Sequence, residues 1–282
     1  MDSQASAARF QAAVASHNCT VAEHRPVNTR YRYLRLESSA SLAVVTKAGQ
    51  FYQLRCPATA GLQPFLLRPM SVYGVGPGTG CLEFLYNVTG VGTAALATLA
   101  VGSKMDIVGP LGNTFTFEPS FRRVLVVARG VGLATMAPLV RDAGRADVSV
   151  TAVMSARTPA DLMRDEFLRG TAAEIHSVFD SDGSSAVEKV EVLLRSLIKQ
   201  QSPDMVYTCG SHRLLMLLQR VLQDFPEVRG EVAMEQRMAC GMGVCLSCVR
   251  MFDTLEGKHF KRVCREGPVF PINEVVGEVE FG

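Results

Sequence analysis

The 282-residue chain contains no tryptophan, and its charges nearly cancel: 29 Lys and Arg against 27 Asp and Glu leave +2. A chain this close to neutral lacks the basic stripe that nucleic-acid binding leaves in a sequence. The first eighteen residues (MDSQASAARFQAAVASHN) lack a basic start followed by a long apolar run, so they do not read as a signal peptide. Residues 84–103 carry no charge, but they include Asn87, Thr89, Gly90, Gly92, Thr93 and Thr98. That composition suits a strand, a turn and a short helix rather than a membrane span. The five histidines show no ligand spacing and are assigned no role. The expected compartment is the cytoplasm, where clustered cysteines bind metal or carry redox chemistry more often than they form disulfides.

What is present suits a folded protein: 48% hydrophobic and 20% charged residues provide ample material for a core. At roughly 150 residues per domain the length suggests about two domains. Four of the eight cysteines, however, fall between positions 240 and 264. Two larger units and a small cysteine-rich appendage describe the chain better. The expected division is an N-terminal extension over 1–18, a β domain over 19–118, an α/β domain over 119–230 and a cysteine module over 231–282.

In the β domain, Tyr31–Glu37, Gln50–Cys56, Pro69–Val75 and Cys81–Val88 alternate and are rich in β-branched and aromatic residues, with Gly and Pro clusters between them. They predict a small barrel or sandwich, with a short helix inserted over Thr93–Ala100. The pattern changes near Pro119. Arg123–Ala128 is a short apolar run, followed by Gly130-Val131-Gly132 and a helical stretch over Leu133–Asp142. Val148–Met154, Asp161–Leu168, Ile175–Phe179, Val187–Lys199, Asp204–Thr208 and His212–Asp224 continue as alternating strands and helices. Such alternation predicts a parallel sheet with crossover helices and ligands at the carboxyl ends of its strands.

The strongest motif is Cys240-x4-Cys245-x2-Cys248-x15-Cys264. Its first three cysteines have the plant-type [2Fe–2S] spacing, and Gly241 and Gly243 let the backbone approach the sulfides and donate N–H bonds. Four cysteines also bind structural zinc, but zinc modules usually present two C-x2-C pairs. Cys19, Cys56 and Cys81 are scattered and read as buried small hydrophobes. Lys258, Lys261, Arg262 and Arg265 surround the last cysteine. They suit either a solvated surface or a role beside a negative cluster or a partner.

Cofactor signals lie elsewhere too. Arg68-Pro69-Met70-Ser71 opens a strand, and Gly90-Val91-Gly92-Thr93 opens the short helix. Together they suit a flavin and its phosphates, since free N–H groups at a helix start favour an anion. Gly130 and Gly132 form a glycine turn between strand and helix, an incomplete dinucleotide loop. Ser155 and Arg157 follow the next strand, where a ribose or 2′-phosphate is usually read. Cys209 and Gly210 end a later strand. Cys209 is expected to abut a nicotinamide ring, the plainer alternative being a buried thiol beside a helix capped by Ser211.

Taken together, RPMS, GVGT, GPLGN (109–113), the GVG turn, SARTPADL (155–162), CGSHRLLM (209–216), EQRMACGMGVCLSC (235–248) and KRVCREGPVF (261–270) resemble the electron-transfer subunit of class 1B dihydroorotate dehydrogenase, of the ferredoxin–NADP reductase-like superfamily. The resemblance spans roughly residues 20–270. It implies a multi-domain fold: a Greek-key β-barrel FAD domain, a Rossmann-like α/β nicotinamide domain and a small C-terminal [2Fe–2S] module. It implies that Arg68, Pro69, Met70, Ser71, Leu85, Tyr86, Asn87, Gly92 and Thr93 contact FAD, and that Cys240, Cys245, Cys248 and Cys264 ligate the cluster. It also implies NADH rather than NADPH, and an FMN-carrying catalytic flavoprotein partner in a heterotetramer serving pyrimidine biosynthesis. The implied relay joins NADH, FAD, the cluster and the partner's flavin. Two features depart from the pattern: Arg129 stands where the family has the first glycine of GGxG, and Pro138 falls later than usual. A second reading is therefore a non-catalytic electron-transfer subunit with impaired nicotinamide binding. A third is a zinc-bound interaction module on a degenerate reductase.

Overall fold

The computed structural model describes residues 13–76, 78–162 and 174–277. Six strands close into an antiparallel barrel: β1 (Ala15–Pro26), β2 (Tyr31–Glu37), β3 (Phe51–Leu54), β4 (Arg68–Gly76), β5 (Cys81–Asn87) and β6 (Lys104–Leu111), in the order β1-β2-β5-β4-β3-β6. Closure leaves no unpaired edge. Alternate residues such as Leu34, Leu36, Leu82, Phe84 and Ile107 fill the interior. Two six-residue helices interrupt the barrel, α1 (Ala40–Val45), capped by Ser39, and α2 (Val91–Leu96).

The second unit alternates as expected: β7 (Arg123–Arg129), α3 (Gly132–Arg145), β8 (Ser149–Ala156), β9 (Glu174–Phe179), α4 (Val187–Gln201), β10 (Met205–Cys209), α5 (His212–Leu222) and β11 (Arg229–Ala233). Part of the helix expected over Asp161–Leu168 lies outside the described residues; Pro159–Asp161 is a short 3-10 turn. The remaining strands are the hairpin β12 (Val249–Thr254) and β13 (Gly257–Arg262), and the three-residue β14 (Val269–Pro271).

The large sheet runs β14-β11-β10-β7-β8-β9, parallel except for β14. Its order reverses between β7 and β10, the point where ligands bind in such sheets. Two of the expected boundaries are not breaks in the structure. β1 begins at Ala15, inside the stretch set aside as an extension, and pairs with β6 from Ala15↔Gly109 to Thr20↔Lys104. β11 runs through position 230 to Ala233, and β14 of the cysteine module pairs with it. Sheet hydrogen bonding requires a partner, and here the partner comes from beyond the composition break.

The three units share cores. On one face of the sheet, α3 packs Leu133, Met136 and Ala137 against Tyr31, Tyr73 and Leu85 of the barrel. Arg141 of α3 donates to the Tyr73 carbonyl (2.8 Å) and faces Glu83 of β5 (3.8 Å). On the other face, α4 and α5 share a core with Phe252, Val263, Phe270 and Ile272 of the cysteine module. The Phe252 and Phe270 rings meet in a tilted contact, with centroids 4.2 Å apart. No helix among the described residues is long and apolar enough to cross a membrane.

Candidate functional site

The glycine turn after β7 and the turn after β10 meet at the switch point. A Cβ on Gly132 would lie 2.4 Å from the Cys209 carbonyl oxygen, and one on Gly210 2.2 Å from the Arg129 carbonyl oxygen. Any side chain at either position would separate the turns. Gly130 has φ +54, and the Tyr31 hydroxyl of the barrel lies 3.1 Å from where its Cβ would be. Charges on Arg157, Asp161 and Glu235 act on that same hydroxyl, whose acidity is reduced mainly by burial. Tyr31 of the barrel therefore sits beside the glycine turn of the sheet.

Arg129 crosses the carboxyl ends of β8 and β9. Its Nη1 donates to the Ser155 hydroxyl at 2.7 Å, and Nη1 and Nη2 form a bidentate pair with Asp180 at 3.2 and 2.6 Å. Arg213 lies 3.9 Å from the same carboxylate, and the Ser185 hydroxyl donates to it. The Arg129 hydrogen bonds, then the one from Ser185, hold the Asp180 carboxyl at about 2, well below its ordinary value. Ser155 is itself buried, while Arg157 is exposed. Asp180 was not singled out in the sequence. The available signal was its place directly after the third parallel strand, at the ligand-binding end.

Cys209 is 2% exposed, with Thr135 Oγ1 3.6 Å from its sulfur. Burial, and then the nearby Glu235 charge, push its thiol far above the ordinary range. It stands as a buried, protonated thiol at the end of β10, with its carbonyl against Gly132 of the first turn.

The flavin motif lies on β4, and its Arg68 is half-buried. Arg68 Nη1 donates to the carbonyls of Leu66 (2.7 Å) and Leu67 (3.2 Å), and no carboxylate among the described residues pairs with it. Its guanidinium lies across Gly92: a Cβ there would come within 2.2 Å of Nε and 2.5 Å of Cζ. An arginine without a counter-charge, held over a helix start, fits a diphosphate.

Two of the expected contact residues have side chains bonded within the chain. Thr93 Oγ1 accepts from the amides of Thr89 (2.9 Å) and Gly90 (3.1 Å), so the hydroxyl braces the turn rather than standing free. Tyr86 points into the barrel core, where its hydroxyl bonds His24 at 2.9 Å. The two-residue period of a strand leaves Leu85 and Asn87 on the other face, and Leu85 lies in the core shared with α3. Pro69, Met70 and Ser71 continue β4, paired with Gln53, Tyr52 and Phe51 of β3.

In the cysteine loop, the amides of Met242, Val244 and Cys245 point at Cys240 Sγ, at 3.4, 3.4 and 3.5 Å. Cys248 and Cys264 are buried with their sulfurs 3.2 Å apart, whereas Cys245 is exposed. Arg262 braces the loop by donating to the Gly243 carbonyl at 3.0 Å while paired with Glu266, and Lys261 pairs with Glu274 at 2.8 Å. Two of the four basic residues around the last cysteine are thus engaged within the module. Among the described residues no three His, Cys, Asp or Glu side chains close around a single ion. A two-iron cluster needs two thiolates on each iron instead, and a close buried pair with amide donors aimed at a third sulfur fits that group.

Comparison with known proteins decides the family. Residues 235–276 match the family model described as the iron-sulfur cluster binding domain of dihydroorotate dehydrogenase B. The chain is 33% identical over 251 residues to the dihydroorotate dehydrogenase B (NAD(+)), electron transfer subunit of Desulforamulus reducens, covering 89% of this chain and 94% of that one. The chain belongs to the family of dihydroorotate dehydrogenase B electron transfer subunits. A second member, from Bacillus caldolyticus, is 31% identical over 91% of this chain and 97% of its own. Among solved structures, the NADH-dependent reduced ferredoxin–NADP oxidoreductase superposes with a TM-score of 0.76 at 25% identity, covering 92% of this chain and 90% of that one. The ferredoxin reductase in carbazole 1,9a-dioxygenase shares the fold, with a TM-score of 0.60 at 19% identity over 77% and 69%. The resemblance carried by RPMS, the glycine turns and the cysteine run is therefore borne out for family and fold class: barrel, α/β sheet and iron–sulfur module. The chain is an electron-transfer subunit of an oxidoreductase.

Proposed function

We propose that this subunit relays electrons between NADH, FAD and a [2Fe–2S] cluster and an FMN-containing catalytic partner in a cytoplasmic hetero-oligomer. The observation that carries the reading is the adjacency of the two cofactor elements: β3 pairs with the flavin strand β4 and also touches Gly241 of the cysteine loop. When bound, FAD exchanges a hydride with nicotinamide and single electrons with the one-electron cluster, and the protein supplies position and electronic tuning.

Arg68 would hold the FAD diphosphate across Gly92, with Pro69, Met70, Ser71, Leu85, Asn87 and the backbone around Tyr86 and Thr93 framing the flavin. Gly130, Gly132 and Gly210 would admit the nicotinamide nucleotide to the switch point, where Ser155 and Arg157 face its ribose end. Cys240, Cys245, Cys248 and Cys264 would ligate the iron. The domain division proposed with this reading is a barrel to residue 118, a nicotinamide domain from 119 and a cluster module from about 231 that shares its core with its neighbours.

One observation favours a second reading, in which the electrons come from another protein. The Arg129–Asp180 pair occupies Ser155, a residue the nicotinamide nucleotide would use. Anaerobic stopped-flow mixing of the purified subunit with NADH and, separately, NADPH distinguishes the two. Flavin bleaching by NADH supports the relay, and no bleaching by either nucleotide removes nicotinamide from it. Zinc without iron and acid-labile sulfide would remove the cluster. Co-purification with an FMN protein tests the partner.

A further inference from the structure

Gln53 occupies the middle of β3, where all four residues are buried. Its side chain is 0% exposed, and both Nε2 and Oε1 lack a hydrogen-bond partner among the described residues. A carboxamide has two N–H donors and an acceptor oxygen, and burying them unused is unfavourable compared with an apolar side chain of the same shape. An unsatisfied group in so enclosed a position points to a partner that the polypeptide does not itself provide.

The surroundings indicate which partner. Gln53 is in register with Pro69 of the flavin strand. On its other side the carboxamide lies against the cysteine loop: Nε2, Cγ and Cδ are 2.4, 2.8 and 3.0 Å from where a Cβ on Gly241 would sit. Gly241 has φ +72, which turns the loop so that the amides of Met242, Val244 and Cys245 aim at Cys240 Sγ. The donors of the loop thus already converge on sulfur, and Gln53 approaches at the residue immediately after Cys240.

We propose that Gln53 is a positioning residue of the iron–sulfur centre: its carboxamide N–H donates to a sulfur of the cluster, either a thiolate or a sulfide, and raises the cluster's reduction potential. This assignment rests on the cluster reading above. Reduction adds negative charge to the cluster, and an N–H donor to sulfur stabilises the reduced form more than the oxidised one. Its place on the strand beside the flavin motif makes the residue a packing link between the two cofactor elements as well.

The test uses the full-length subunit with both cofactors. Midpoint potentials of cluster and flavin are measured separately, by EPR- and absorbance-monitored redox titration, for the wild type, Gln53→Met and Gln53→Glu. Methionine keeps the volume and removes the unsatisfied polar atoms, so the fold is expected to be at least as stable. The expected result for Gln53→Met is a reduced-to-oxidised cluster ratio about tenfold lower at the same poise, which is about 59 mV for one electron. The flavin potential and the iron content are expected to be unchanged. Gln53→Glu, which adds an anion, should lower the cluster potential at least as far. Unchanged cluster potentials in both variants would overturn the proposal.

A second measurement needs no substitution. In the reduced wild-type subunit carrying 15N-labelled glutamine, a side-chain nitrogen should show hyperfine coupling to the cluster, and its absence overturns the assignment. Wild-type protein without iron and sulfide would refute the cluster reading itself, a different result from an iron-loaded protein in which Gln53 has no effect.

Discussion

Replacing Gly92 with alanine separates stability from flavin binding. Gly92 is the second residue of α2, and its φ is not in the left-handed region, so alanine is conformationally acceptable there. Within a helix the exchange favours folding by up to about 1 kcal/mol, and by less this close to the end. The new Cβ meets Arg68 Nε at 2.2 Å, Cζ at 2.5 Å and Nη2 at 2.6 Å. Those atoms are the flexible end of a side chain, so the guanidinium swings aside. It gives up part of its bonding to the Leu66 and Leu67 carbonyls, which is worth about 1 kcal/mol net. The two effects oppose one another, and the apoprotein should change by less than about 1 kcal/mol. FAD affinity has no such compensation. Losing a charge-assisted contact to the diphosphate costs about 1.5–3 kcal/mol, or roughly 10- to 150-fold. Urea unfolding of the apoprotein and fluorescence titration with FAD measure the two quantities. Arg68→Ala should match the loss, and the double variant should add little to it, because both changes remove the same contact. Wild-type FAD affinity in Gly92→Ala, or fully additive losses, would show that this guanidinium does not hold the flavin.

Further outcomes can be checked directly. Cys245→Ser should lose the iron and the visible absorbance of the cluster while keeping FAD, since Cys245 is exposed and outside the shared cores; iron analysis and flavin content decide this. Gly241→Ala should also lower iron content, because its Cβ would displace Gln53 and its φ of +72 disfavours a side chain by about 1–2 kcal/mol. Arg129→Gly should free Ser155 and tighten NADH binding by no more than about fivefold, as an exposed ion pair is worth about 1 kcal/mol or less. An unchanged NADH dissociation constant would mean the pair does not obstruct the nucleotide. The pH dependence of Asp180 has a definite sign. Its carboxyl is lowered to about 2 from an unfolded value near 4, so its contribution is complete above about pH 4 and is lost as the pH falls through 2. The side chain is 41% exposed, and solvent screening reduces that contribution to under about 1 kcal/mol. The stability difference between the wild type and Asp180→Asn should therefore be small at pH 7 and vanish only below about pH 2.

The sequence revealed elements whose signals are local. Arg123–Arg129, Val187–Gln201 and His212–Leu222 each carry their own period and end signals, and they appear within a few residues of their expected limits. The cysteine run was legible because cluster ligation fixes spacing directly. What stayed hidden depends on distant partners. β1 from Ala15 is polar in composition and becomes a strand through its pairing with β6, about ninety positions away. β14 has three residues, too few for any periodicity, and exists because β11 offers an edge. Tyr86 shows a different limit: the motif names it with its neighbours, while strand alternation turns its side chain into the barrel core and leaves its backbone beside them. Gln53 was illegible for a third reason. Both faces of β3 are buried, so inward and outward positions look alike in FYQL, and only its missing partners mark the glutamine.

These hidden contacts alter the physical standing of the third unit. A segment of about fifty residues usually needs a staple to hold its fold, and four cysteines suggest that the cluster alone provides it. The structure adds a second support. β14 completes the large sheet, Phe252 and Phe270 enter the core of α4 and α5, and Cys248 and Cys264 lie in that same core. The two inner sulfurs are thus held by the nicotinamide domain's packing, while Cys240 and Cys245 sit on the loop against β3 and toward solvent. If these four cysteines ligate the cluster as proposed, two of its ligands would be anchored in the shared core and Cys245 would lie on the solvent side. In the proposed relay, Gln53 and Gly241 are the packing positions that join the cysteine loop to the strand beside the flavin motif.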